Sequence, residues 1–343
     1  MSDRSTGFAL PPHAQLIQTG TAFWASQMLL VAAQLELADR LGDGSKTSDQ
    51  LANQLGMNAP AFYRFLRSLA GMGVLTEVDS RTFALTPLGE ALKKGAPGSA
   101  RATILTLAGP IGRQAWDRLR YSLETGKPGL NEALGRPLFE YLAEHSEEAS
   151  LFSETMVGFH GAEPPAVAAA YDFNAFGSIV DVGGATGNML VHILQRHARA
   201  RGILFDLPHV VAEAPAFLAS QGMADRVSIA SGSFFDTVPA GHDAYVLSHI
   251  IHDWDEDQCQ TILRNCRKAI DRNGRLLIVE MVLPEGDTPH PGKMLDMMML
   301  VGPGGQERTE EEYGALLGKA GFRKTRVVPT ASAVSVVEAV PLL

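Results

Sequence analysis

The spacing of apolar positions along the chain changes near residue 165. Residues 15–41 (QLIQTGTAFWASQMLLVAAQLELADRL) carry apolar side chains at helical intervals, in greater number than one buried stripe requires. They predict a helix buried on several sides. Residues 46–92 read as two short helices followed by GVLTEV and TFALT joined by a polar turn, a winged-helix pattern. Residues 98–162 are helical and irregular, ending near GAEPPAVAAAYDF, where Pro164 and Pro165 suit a helix start. From residue 178 the pattern becomes short apolar runs, SIVDVG, GILFDL, RVSIAS, AYVLSHII and RLLIVEMVL, alternating with helical stretches. Such runs predict a parallel sheet covered by helices on both faces. The expected division is a mainly α, winged-helix-like domain over 1–163 and an α/β, doubly wound Rossmann-like domain over 164–343.

Length supports two domains, since 343 residues exceed the roughly 100–200 residues of a usual single core. At 45% hydrophobic and 20% charged residues the composition is that of a globular protein, and no apolar run approaches the roughly 18 residues of a membrane span. The first residues, MSDRSTGFALPPHAQ, lack the apolar core of a secretory signal, so the expected location is cytoplasmic. Cys259 and Cys266 lie seven residues apart on one predicted helix, a separation of about 10 Å that forbids a disulfide and fits a reducing compartment. A net charge of −9 argues against nucleic acid as a partner. Between Pro60 and Leu75 the candidate recognition helix offers only Arg64 and Arg67, which favours packing or dimerisation over DNA binding.

Two stretches carry candidate chemistry. IVDVGGATGNML (179–190) is a buried strand running into a glycine turn and a helix, which sets backbone N–H groups and a positive helix end beside a ligand. Gly183, Gly184 and Gly187 match the dinucleotide fingerprint only in part, and a plain tight turn has the same look. Asp206 ends the next strand, nineteen residues beyond Gly187, where an acid can accept from both ribose hydroxyls. The second stretch, LSHIIHDWDEDQC (247–259), packs two histidines and four acids into thirteen positions. Asp253 and Glu256, three apart and followed by Ile262, Leu263, Cys266, Ala269 and Ile270, suit a capping box. His249 and His252 match neither the helical HExxH pattern nor cysteine-rich zinc spacing, so no metal is expected. Side chains alternate along a strand, which would turn His249 and Ile251 to one side and leave His252 where the strand gives way to a crevice. Gly183, Asp206, His252 and Glu280 all fall just past strand ends, where open parallel sheets bind ligands. The methionines of KMLDMMML serve core packing or an aromatic ligand, and Met298 is the candidate contact.

Taken together, DVGGATGNM, DLPHVV, HDWDEDQCQTILRNCRKAI, IVEMVLP and GPGGQERTEEEYGALLGKAGF resemble the class I S-adenosylmethionine-dependent O-methyltransferases of the caffeic acid and acetylserotonin type, including their bacterial small-molecule branch. The resemblance covers nearly the whole chain. It implies a methyltransferase domain preceded by a dimerisation domain, a homodimer, and S-adenosyl-L-methionine as cofactor. It places the cofactor's methionine part near Gly183 and its ribose on Asp206, makes His252 the general base, and sets Glu280 and Glu307 beside it. Asp253 and Met298 become candidate acceptor contacts. Two positions depart from the family pattern: Ser233 stands where many relatives have an acid for adenine, which leaves Phe234 as the apolar contact, and Ser248 stands where plant members often have lysine.

The function so implied is methylation of a phenolic hydroxyl on a small aromatic or polycyclic metabolite. A phenol ionises at a pKa of about 10, so a base within hydrogen-bond reach is needed near neutral pH, and histidine titrates in a useful range. Glu280 or Glu307 would hold the imidazole tautomer. Two rivals belong to other classes. One is a relative that binds S-adenosylmethionine for hydroxylation, decarboxylation or pericyclic chemistry, against which a retained His252 argues. The other is a cofactor-binding regulator using the winged helix, which the charge disfavours.

Overall fold

The computed structural model describes residues 10–96 and 98–342; the stretch 1–9, on which part of the N-terminal signal reading rests, lies outside them. Internal contacts divide the chain into two compact units, 1–113 with 142–159 and 114–141 with 160–343. No helix among the described residues is long and apolar enough to cross a membrane.

The first unit begins with three helices, Pro12–Gly20, Phe23–Gln34 and Leu37–Leu41, where the sequence suggests one. Thr21 folds its hydroxyl back onto the Ile17 carbonyl, and Glu36 takes a left-handed φ of 50°, so neither junction continues a helix. Leu16 and Trp24 stay 74% and 62% exposed. The winged pattern follows as read. Strand β1 (Ser45–Thr47) leads to helices Ser48–Leu55 and Ala59–Gly71, and strands β2 (Leu75–Asp79) and β3 (Thr82–Leu85) complete an antiparallel sheet in the order β1-β3-β2. Thr47 with Gln50 and Asn58 with the Ala61 N–H cap the two helices. Leu51, Phe62, Leu66, Leu69 and Phe83 fill the core between them. Of the two arginines on the second helix, Arg67 lies over the Tyr63 ring, 5.6 Å from its centre.

The second unit is built on a seven-stranded sheet. Its strands are β4 (Ser178–Val182), β5 (Arg201–Asp206), β6 (Val227–Ser231), β7 (Ala244–Ser248), β8 (Arg275–Glu280), β9 (Phe322–Pro329) and β10 (Ser335–Pro341). The spatial order is β9-β10-β8-β7-β4-β5-β6. Both faces are covered, and the alternation of side chains shows it. Ile179, Leu204, Val246, Leu277 and Val279 point into one core, and Val180, Val182, Phe205, Tyr245, Leu247 and Ile278 into the other.

The sheet is mixed, which corrects the expectation of a parallel one. β4 to β8 pair in parallel, but β10 runs antiparallel to both β8 and β9. β9 and β10 are joined by only five residues, and a short connection between neighbouring strands permits no other direction.

The helix after β7 also differs from expectation. It starts at Glu256, and its capping box is Asp255 with Gln258, not Asp253 with Glu256. Asp253 belongs to a separate turn of 3-10 helix, Ile251–Asp253, and is left free for other work. Asp255→Ala should therefore cost about 0.5–2 kcal/mol in urea denaturation, the usual worth of an N-cap. Asp255→Ala without measurable loss would contradict the assignment.

Candidate active site

The order of strands reverses at the β4/β7 junction, and open sheets of this kind bind ligands beyond the carboxyl ends of the strands at such a reversal. β4 delivers Gly183, β5 delivers Asp206, β7 leads to Ser248 and the HIIHDW turn, and β8 ends on Glu280. Glu307 comes from far along the chain. It directly precedes Arg308 and Thr309, which pair in parallel with Val282 and Leu283 just past β8. That two-residue ladder brings Glu307 to the same place as Glu280.

Gly183 has φ 75°, and a Cβ built there would lie 2.4 Å from Ile250 and 3.5 Å from the Phe234 ring. Only glycine fits, and the loop keeps a close cradle facing Phe234. Asp206 Oδ2 accepts the Ala185 N–H at 3.0 Å and Oδ1 accepts the Leu207 N–H at 2.7 Å, which ties the glycine loop to the end of β5. Burial pushes the Asp206 carboxyl up, against the pull of those two bonds. Ser233 is used locally: its hydroxyl accepts the Phe235 N–H at 3.2 Å within its own turn. Asn265 fixes that turn by donating to the carbonyls of Phe234 and Phe235 at 3.0 and 2.9 Å. Phe234, Phe235 and Trp254 pack edge to face, and Phe139 lies 5.4 Å from Trp254. The cradle, the diol-acceptor carboxylate and the apolar ring fit the amino-acid, ribose and adenine parts of S-adenosylmethionine.

His252 is 4% exposed, with Glu307 at 3% and Glu280 at 0%. Its Nδ1 lies 2.6 Å from Glu307 Oε1, and its backbone N–H donates to Glu280 Oε1 at 3.1 Å. Glu307 accepts the Nδ1 proton, so the lone pair of the neutral ring sits on Nε2, which lies 3.7 Å from Asp253 Oδ1. Burial opposes charge on this ring, but Asp253, the hydrogen-bonded Glu307 and Glu280 outweigh it and push the imidazole up to about 10. Burial likewise raises the carboxyls of Glu280 and Asp253. The three carboxylates and the imidazole form one cluster.

Several supporting residues are given no role by sequence reading, although Gly305, Arg308 and Tyr313 lie in the GPGGQERTEEEYGALLGKAGF stretch. Tyr313 donates its hydroxyl to Glu280 Oε2. The fully buried Arg308 donates to the carbonyls of Ile251 and Gln306 at 3.3 and 3.2 Å. Asp296, on the helix Gly292–Val301 that carries Met298, accepts the Glu307 N–H at 2.9 Å. Met298 is half-buried, and Met294 is exposed. Gly305 is required by close approach, because a Cβ there would meet the His252 carbonyl at 1.8 Å. The only signal for Asp296 in the sequence is its place among the methionines.

His249 departs from the alternation expected of a strand. β7 ends at Ser248, and His249 takes φ 54°, so the two histidines are separated by a turn and their ring centres lie 5.0 Å apart. His249 Nε2 meets Glu163 Oε2 at 2.5 Å, and His160 Nδ1 lies 3.1 Å from the same oxygen. Burial pushes His249 down to about 3. Burial works to raise Glu163, but the two imidazole hydrogen bonds prevail and hold it at about 2.

Replacing Glu307 by Gln keeps the shape and removes one buried charge. The His252 titration midpoint, followed by NMR of the imidazole, should fall below that of the parent protein. An unchanged midpoint would remove Glu307 from the cluster's electrostatics.

Comparison with known proteins agrees with the fold. Residues 116–323 match the O-methyltransferase domain, and residues 17–95 match the O-methyltransferase dimerisation domain. The phenazine O-methyltransferase PhzM of Lysobacter antibioticus is 42% identical over 342 residues, covering 100% of both chains. The crystal structure of LaPhzM superposes with a TM-score of 0.92 at 42% identity, covering 97% of this chain and 100% of that one. The O-methyltransferase NcsB1 of neocarzinostatin biosynthesis, solved with S-adenosyl-L-homocysteine and 1,4-dihydroxy-2-naphthoic acid, gives a TM-score of 0.79 at 33% identity, over 93% and 96% of the two chains.

Proposed function

The chain belongs to the S-adenosylmethionine-dependent O-methyltransferases, and we propose that His252 is the general base that takes the proton of a phenolic hydroxyl on a small aromatic acceptor. The observation that carries this reading is the 2.6 Å contact from Glu307 to His252 Nδ1, which leaves Nε2 as the only nitrogen able to accept. Bound S-adenosylmethionine supplies an electrophilic methyl group on a sulfonium. The residues of the chain do the rest. Gly183, Asp206 and Phe234 seat the cofactor, with Ser233 and Ser248 flanking it, and Glu280 and Glu307 orient His252 and stabilise its cation.

The electrostatics suit a phenol. With His252 raised to about 10 and a phenol ionising at about 10, proton transfer between them is close to balanced. A positive charge bound nearby disfavours the imidazolium, so His252 sheds its proton more readily in the loaded enzyme. An aliphatic alcohol is far less acidic and lies outside the reach of this base. The acceptors in the names of the relatives above, a phenazine and a naphthoic acid, are fused aromatic rings. Trp254 and Phe139 offer an apolar wall for such a ring, Met298 on the helix Gly292–Val301 is a further candidate contact, and Asp253, 3.7 Å from Nε2, sits where a hydroxyl would be received.

The division of labour we propose keeps assembly in residues 1–163 and chemistry in 164–343, with the helices Leu119–Thr125 and Gly129–Leu134 lent to the catalytic unit. The dimerisation-domain match and the exposed Leu16 and Trp24 support a homodimer, since a lone chain would leave these side chains in water.

His252→Ala should lose about 10²–10⁴-fold in turnover, the scale of removing a general base. S-adenosylmethionine affinity by calorimetry should stay near that of the parent. Near-full turnover with a phenol of ordinary acidity would exclude His252 as the base.

A further inference from the structure

We propose that His160, Glu163 and His249 form a binding site for a divalent ion of the zinc class, apart from the machinery of methyl transfer. Their donor atoms all lie within 4.8 Å of one another. His160 is the last residue of the helix Ser146–His160 and Glu163 the first of the helix Glu163–Ala170, so a two-residue turn fixes this pair. His249 arrives from the far side, just past β7. Glu163 is buried, and among the described residues the side chains that meet its carboxylate are the two imidazoles. A buried carboxylate without a lysine or arginine beside it, clasped by two histidines, is a ligand arrangement as much as a structural one.

The donor set decides the class of ion. Two imidazole nitrogens and one carboxylate oxygen suit zinc and its transition-metal neighbours, whereas calcium and magnesium prefer oxygen alone. Zinc bonds of about 2.0–2.2 Å in a tetrahedron set neighbouring donors roughly 3.3 Å apart. The His160–Glu163 separation of 3.1 Å already meets that, and the His249–Glu163 separation of 2.5 Å has to open by under an ångström. Three protein ligands leave a fourth position for water or a small molecule.

The backbone at His249 points the same way. A φ of 54° is uncommon for a residue with a side chain, and it aims the ring at Glu163 where an ordinary strand conformation would not. The other nitrogen, Nδ1, is buried without a hydrogen bond among the described residues, so the seating of the ring rests on its Nε2 contact.

The proposal is independent of the reading of His252 as the base, and the test separates them. Untagged full-length protein, stripped with a chelator and freed of it, is titrated with Co²⁺ by visible absorption and with Zn²⁺ by calorimetry. One saturable equivalent per chain is expected. Glu163→Gln and His160→Asn should each weaken it by more than the roughly 10–100-fold that loss of an outer-sphere partner costs. His252→Ala should keep it. Where Glu163→Gln does not fold by circular dichroism, His160→Asn decides, because His160 lies at the rim of the cluster. Absence of saturable binding, unchanged affinity in His160→Asn, or loss in His252→Ala alone would overturn the site.

Discussion

Three carboxylates and one imidazole share a buried volume beyond the ends of β7 and β8, and the surrounding structure is organised to make that tolerable. Asp253, Glu280 and Glu307 would repel one another in a dry interior, and burial raises the carboxyls of Asp253 and Glu280 there. His252 supplies the positive partner, and the acids in turn hold its proton more firmly than water would. Tyr313 on Glu280, Asp296 on the Glu307 backbone and the buried Arg308 beneath the turn support this arrangement, while Glu307 Oε2 has no hydrogen-bond partner among the described residues. Removing one partner of such a buried pair typically costs about 3–5 kcal/mol, because it leaves an uncompensated charge in the interior.

Topology explains why these residues meet at all. The order of the sheet reverses between β4 and β7, so the loops after β4, β5, β7 and β8 converge on one crevice. Glu307 joins them through the ladder of residues 308–309 on 282–283, and Gly305 lets that loop run against the His252 carbonyl. The cofactor side of the crevice and the proton side are thereby built on adjacent, rigid strand ends. The apolar runs that form those strands, and not the loops themselves, hold the geometry.

Much of this was legible in the chain. Apolar runs alternating with helices predicted the doubly wound sheet, and GVLTEV with TFALT predicted the wing, because buried strands need apolar side chains whatever their partners. The sequence reading sets Gly183, Asp206, His252 and Glu280 at or just past strand ends, and there they stand. What escaped was set by tertiary contact. In the antiparallel β9–β10 hairpin the edge strand β9, FRKTRVVP, is broken by charged residues and carries no clear apolar run. The cap at Asp255 competed with an equally spaced pair two residues earlier, and only the turn at Ile251–Asp253 decides between them. Tyr313, Arg308 and Asp296 are polar residues whose roles depend on what they are buried against. The cluster of His160, Glu163 and His249 joins a neighbouring pair to a histidine 86 residues beyond Glu163, and no local spacing announces that meeting.

The central claim is that the enzyme's own ionisation, at His252, gates the reaction. It is tested most directly by the pH dependence of kcat/KM across a series of phenols of different acidity. The account predicts a rate that rises with pH through one midpoint, above the ordinary histidine value of about 6.5, at the same position for every acceptor. A midpoint that follows each acceptor's own pKa, or a rate with no pH dependence over that range, would contradict it.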